Sequence, residues 1–107
     1  MNVETNNEIK CTLALGALEH VMDPEIGLNV VDLGLIYSIH FNDETQELAC
    51  TMTLTTQFCP MGESITEGVK EALQQCLPGY TVHLSLTFGP AWNYDRISEE
   101  GRLFLNK

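Results

Sequence analysis

Basic residues are scarce in this chain: 5 lysines and arginines stand against 15 acids in 107 residues, a formal charge of −10. Such a surface repels phosphate backbones and anionic membranes, so it argues against nucleic-acid and membrane partners. It suits basic proteins or cations, although acidity also simply aids solubility. No apolar run approaches the ~20 residues needed to cross a bilayer. Met1-Asn2-Val3-Glu4 has neither the basic start nor the apolar stretch of a secretory leader, and a cytoplasmic protein is expected. The four cysteines, Cys11, Cys50, Cys59 and Cys76, form no Cys-x-x-Cys pair, which argues against a disulfide framework or a self-contained zinc site. Phosphate-binding loops, dinucleotide fingerprints, Gly-x-Ser-x-Gly elbows and His-Glu-x-x-His helices are absent too. What is present, 44% apolar and 19% charged residues, describes one globular domain over residues 1–107.

Periodicity divides that domain into six elements. Residues 1–7 are polar and expected to fray. A first helix is expected from Glu8, with Cys11, Ala14, Leu15, Leu18 and Met22 as its apolar stripe, stopping at Asp23 ahead of Pro24. Residues 24–34 read as a loop. Ile36 to Asn42 reads as a strand with Tyr37, Ile39 and Phe41 on one face. A polar turn leads to a second strand, Glu47 to Thr55, with Leu48, Cys50, Met52 and Leu54 inward. Met61, Ile65, Val69, Leu73 and Cys76 recur at helical spacing, and Pro78-Gly79 ends that helix. Tyr80 to Phe88 is a third strand, with Val82, Leu84, Leu86 and Phe88 expected to be buried. Ser98, followed by Glu99 and Glu100, opens a last helix. The expected fold is therefore α+β: a two-layer sandwich of order αββαβα, a three-stranded mixed sheet with helices on one face.

The junction between the second strand and the long helix carries the chemistry. In Thr55-Thr56-Gln57-Phe58-Cys59-Pro60, the proline suits a first helical position and places the Cys59 sulfur at or beside the helix N-cap. Unpaired N–H groups and the helix dipole favour an anion there, and a thiolate is the form that binds metals or attacks electrophiles. The alternative is a small apolar residue filling a strand–helix corner, and spacing alone does not separate the two. Thr55 and Thr56 either surround that sulfur with donors or are ordinary strand formers. Asp23-Pro24-Glu25 sets two carboxylates around a rigid proline, an arrangement that also serves as plain turn punctuation. Asp32, an acid inside an apolar run, is expected to cap backbone N–H groups. Cys11, Cys50 and Cys76 lie on core stripes. His20, His40 and His83 suggest no metal site, although His40 and His83 share a non-core face.

Together these segments resemble the SufT/PaaD family of iron–sulfur assembly proteins from about Glu8 onward. The resemblance rests on Asp23-Pro24-Glu25-Ile26-Gly27, on Asn29-Val30-Val31-Asp32-Leu33-Gly34-Leu35-Ile36-Tyr37, on Thr56-Gln57-Phe58-Cys59-Pro60, and on Pro90-Ala91-Trp92 leading to Ile97-Ser98-Glu99-Glu100-Gly101-Arg102. It implies a non-enzymatic maturation factor that helps deliver or carry clusters to client apoproteins alongside the assembly machinery. The implied functional groups are Cys59 as metal ligand, with Asp23, Glu25, Thr55 and Thr56 around it. The cysteine-rich C-terminal tail of PaaD proteins is missing here. A cluster normally takes four thiolates, and this chain offers one credible exposed thiolate, which argues for transient handling or adaptor work rather than permanent cluster ownership. A second copy, a partner cysteine or a carboxylate must complete the ligands, which makes a homodimer natural. Two other readings compete. One is a metal-free acidic adaptor using Trp92, itself readable as a lid. The other is a thiol enzyme, which lacks a histidine near Cys59 and has acids that would raise a thiol's pKa.

Overall fold

The computed structural model describes residues 3–56 and 62–106. The elements are β1 (Glu4–Thr5), α1 (Glu8–Leu18), β2 (Met22–Asp23), β3 (Leu28–Asn29), β4 (Ile36–Asn42), β5 (Glu47–Met52), α2 (Gly62–Cys76), β6 (Thr81–Leu86), a 3-10 turn (Tyr94–Arg96) and α3 (Glu99–Leu105). The main sheet has four strands in the order β1-β4-β5-β6, and β2-β3 is a separate small ribbon. The mixed α+β expectation holds, but the sheet is four-stranded rather than three-stranded.

The fourth strand comes from the segment expected to fray. Glu4 and Thr5 pair in parallel with Ser38 and Ile39. The Asn6 side chain then extends the ladder, with Oδ1 accepting from the Phe41 N–H at 2.9 Å and Nδ2 donating to the Phe41 carbonyl at 2.8 Å. One residue later Asn7 caps α1 by accepting from the Lys10 N–H. Cys11, Ala14, Leu15 and Leu18 are buried at i, i+3, i+4 and i+7 as the periodicity predicts. The helix stops four residues earlier than expected. Met22 is 49% exposed rather than on a buried stripe, and Met22 and Asp23 pair instead with Asn29 and Leu28.

β4 and β5 form the expected antiparallel hairpin. A bulge between Ile36 and Ser38 resets the alternation. Ile36, Ile39 and Phe41 therefore face the core, while Tyr37, expected inward, turns out and donates its hydroxyl to the Pro90 carbonyl at 2.8 Å. β5 leads through α2 to β6, which lies parallel to it with Leu48, Cys50 and Met52 opposite Val82, Leu84 and Leu86. Helices α1 and α2 cover one sheet face, where Ile65, Val69 and Leu73 of α2 meet Ile39, Leu48, Cys50 and Met52. Each such side chain contributes about 1.5–3 kcal/mol by leaving water. β6 fulfils its pattern only in part. Val82 is buried and Leu84 half-buried, but Leu86, at the end of this edge strand, is 46% exposed, and Phe88, expected within the strand, lies beyond its end and is 37% exposed.

Candidate functional site

The backbone leaving β5 is tied down before it reaches the Thr-x-x-Cys-Pro segment. The Thr53 N–H donates to the Leu35 carbonyl at 2.8 Å, and Thr53 and Leu54 are buried. Thr55 is half-buried and Thr56 exposed, and α2 begins at Gly62. Cys59 and Pro60 lie outside the described residues. Of the expected site, the structure therefore places Thr55, Thr56, Asp23 and Glu25.

The two acids occupy different environments. Asp23 is buried at 1% exposure, and its Oδ1 accepts from the Glu25 N–H at 2.9 Å. Its carbonyl accepts from Gly27 at 2.7 Å and from Ile26 at 3.3 Å. Gly27 closes the turn at φ +81. Asp23-Pro24-Glu25 is a side-chain-locked turn, and the lock holds Glu25 out in solvent.

The described cysteines do not resemble ligands. Cys50 is fully buried, and desolvation pushes its thiol up to about 12. Burial also raises the Cys11 thiol. Cys76 is half-buried, with its sulfur 3.5 Å from the Leu13 carbonyl. His40 and His83 flank Ala49 from the two neighbouring strands. One strand apart on either side, they are separated by about 10 Å. Among the described residues no three His, Cys, Asp or Glu side chains form a group able to hold a metal.

The remaining motifs assemble a latch that the sequence reading did not find. Asp32 Oδ1 accepts from the Ser98 hydroxyl at 2.8 Å and Oδ2 from Asn29 Nδ2 at 2.7 Å. Asn29 Oδ1 in turn accepts from the Val31 and Asp32 N–H groups, and Ser98 caps α3 by accepting from Gly101 N–H at 3.0 Å. Asp32 thus works through side-chain partners on two elements, rather than capping backbone itself as expected. Trp92 Nε1 donates to the Leu33 carbonyl at 2.6 Å and Arg96 Nε to the Gly34 carbonyl at 2.9 Å, with the Arg96 guanidinium 4.1 Å from the Tyr37 ring centroid. The Trp92 ring is half-buried against the core, which fits a lid better than a partner contact. The Asn-x-x-Asp spacing was the available signal, since Asn and Asp side chains organise turns through their own backbone neighbours.

The chain has relatives among known proteins. A sequence profile described as iron-sulfur cluster assembly protein matches residues 14–87. The chain is 36% identical over 91 residues to the Fe-S protein maturation auxiliary factor YitW of Bacillus subtilis, covering 85% of this chain and 88% of that one. It is 42% identical over 88 residues to an Fe-S protein maturation auxiliary factor of Porphyromonas gingivalis, covering 82% and 83%. Among solved structures, a domain of unknown function from Bacillus anthracis superposes with a TM-score of 0.83 at 29% identity, covering 94% of this chain and 98% of that one. A conserved hypothetical protein from Thermotoga maritima gives 0.76 at 36% identity, covering 90% and 93%. With the profile spanning both the Asp-Pro-Glu turn and the Cys-Pro segment, the chain belongs to the iron–sulfur cluster assembly protein family.

Proposed function

We infer that this protein is a non-enzymatic maturation factor that helps pass iron–sulfur clusters to client apoproteins, with the Cys59 thiolate as its metal ligand. The observation that carries the reading is how the other cysteines are used. Cys11 and Cys50 are buried thiols held protonated, and Cys76 rests against a backbone carbonyl. That leaves Cys59 to act as a ligand, in a segment flanked by exposed Thr56 and the start of α2. Asp23 has a positioning role: its carboxylate is spent on the turn that holds Glu25 outward. Glu25, with Thr55 and Thr56, accompanies the metal. One thiolate falls short of the usual four, so the cluster is cargo held briefly. The set is completed by a second copy, a carboxylate or a cysteine of the assembly machinery or client, and the work is expected in the cytoplasm.

The test is anaerobic reconstitution with iron and sulfide, comparing the parent with Cys59→Ser by absorption spectrum and bound iron. The parent should acquire the charge-transfer bands of a thiolate-bound cluster, and Cys59→Ser should lose them while keeping its far-UV spectrum. Cells carrying only Cys59→Ser should lose aconitase-type activity. Full activity there would overturn the reading.

A further inference from the structure

β6 is an edge strand that lacks the usual defences. The opposite edge, β1, is two residues long. β6 runs for six, Thr81-Val82-His83-Leu84-Ser85-Leu86, with no proline, no lysine and no break in its register against β5. Exposed edges of that length are normally blunted by proline, charge or a bulge, because their unpaired N–H and C=O groups invite another strand. Thr81 N–H donates to Gln46 and Thr87 N–H to Met52, so the odd-numbered residues bond to β5. By the two-residue period, the backbone groups of Val82, Leu84 and Leu86 point away from it. Among the described residues nothing pairs with them. A groove of about 320 Å³ runs beside this edge, lined by Leu84 and Leu86 of β6 and by Thr66, Glu67 and Lys70 of α2.

Charge identifies the occupant. Lys10, Arg96 and Arg102 are engaged with Asp43, Gly34 and Asp95. Lys70 is the one cation among the described residues without a hydrogen bond or ion pair, and it stands three residues from Glu67 in the groove. A basic client segment would meet that lysine. A second copy related by a two-fold axis would instead set each Lys70 against the other copy's Glu67, the reciprocal pattern that an isologous interface requires.

We propose that two copies of this chain join antiparallel through β6, centred on Leu84, to make one continuous eight-stranded sheet. Val82 then exchanges main-chain bonds with Leu86 of the second copy, Leu84 faces its own counterpart, and the half-exposed Leu86 side chains close the groove. Because the strands run oppositely, the two Leu86 ends, and with them the Thr56 flanks, lie at opposite ends of the joined edge. Within the maturation reading, setting the two Thr56 positions apart favours a carboxylate, a client or the assembly machinery over the second copy as the source of further ligands.

Sedimentation of the full chain with reductant and chelator keeps metal and disulfide bridges out of the measurement and leaves the Cys59 experiment independent. The mass should approach twice 11.9 kDa as concentration rises, with slowed hydrogen exchange at Val82, Leu84 and Leu86 amides. Lys70→Glu or Glu67→Lys should weaken association by about tenfold or more. The double exchange should restore it, and Leu86→Lys should abolish it with the fold unchanged. A monomer at every concentration, a dimer indifferent to these changes, or edge amides slowed only when an extended client peptide is added would each overturn the proposal.

Discussion

Gly34 shows how much of this fold rests on single backbone positions. Its φ is +76, and a Cβ there would lie 2.3 Å from the Arg96 carbonyl oxygen and 2.7 Å from Arg96 Cβ. Gly27 also has positive φ, +81, but open space around its missing Cβ. The left-handed backbone alone costs a non-glycine residue about 1–2 kcal/mol. Gly27→Ala should lose about that much, whereas Gly34→Ala should lose more, because the turn carrying Arg96 must move. Urea titrations of the two variants decide this, and equal midpoints would mean that the Arg96 backbone does not press on Gly34. Asp32 makes a second test at this scale. Removing a carboxylate that accepts from two side chains should cost about 1.5–3 kcal/mol, so Asp32→Ala should lower stability while leaving reconstituted iron content intact. The reverse result would return Asp32 to the metal chemistry. Both residues sit in the motif Asn29 to Tyr37, whose part in the resemblance is explained by architecture.

Elements were legible where a periodic apolar face meets a core, and illegible where a contact partner decides. α1, α2, the β4–β5 hairpin and the Ser98 cap follow from spacing and side-chain chemistry that act locally. β1 did not, because two polar residues carry no periodicity and owe their conformation to β4 and to Asn6. Met22 and Tyr37 were misassigned for related reasons: the stripe continued in sequence after the helix had ended, and a bulge shifted the strand by one residue. The same contrast exposes a clip between elements. Lys10 of α1 donates to Asp43 Oδ1 at 3.0 Å and to the Tyr80 hydroxyl, which itself donates to Asp43. The Tyr80 ring meets Phe41 edge-on at 5.6 Å. The Tyr80 and Lys10 hydrogen bonds lower the Asp43 carboxyl, and those from Tyr80 and Asp43 raise the Lys10 ammonium. Asp43 therefore adds stability above pH ~4, lost as pH falls through its lowered value, and Lys10 adds it below pH ~10.4, lost as pH rises through its raised value. In thermal melts Tyr80→Phe should trail the parent at neutral pH by a small margin, since these groups are solvent-screened. The gap should narrow at the acid end. A gap constant with pH would assign the effect to packing on Phe41 alone.

At the scale of the whole molecule, three of the four cations among the described residues tie segments together and leave the excess of carboxylates uncompensated. Lys10 fixes α1 to the hairpin turn, Arg96 fixes the C-terminal strap to the Gly34 turn, and Arg102 lies 3.8 Å from Asp95. The acids of α2 and α3, Glu63, Glu67, Glu71, Glu99 and Glu100, are exposed. Composition alone revealed this imbalance, but where the cations go is a tertiary fact that spacing cannot supply. The consequence is a sign. At 0.01 M salt the screening length is about 30 Å, comparable with the molecule's 44 × 26 × 24 Å extents, so carboxylates on opposite faces repel one another. At 0.15 M it falls to about 8 Å, and only near neighbours interact. Folding gathers a charge of −10 into that volume, so relieving self-repulsion should outweigh the weakening of a few exposed ion pairs. The melting temperature at neutral pH should therefore rise between those two salt concentrations. Measuring it at protein concentrations low enough to keep copies apart isolates the effect from any association along β6. A melting temperature that falls with salt would mean that the Lys10 and Arg102 pairs, few as they are, dominate the electrostatics of the fold.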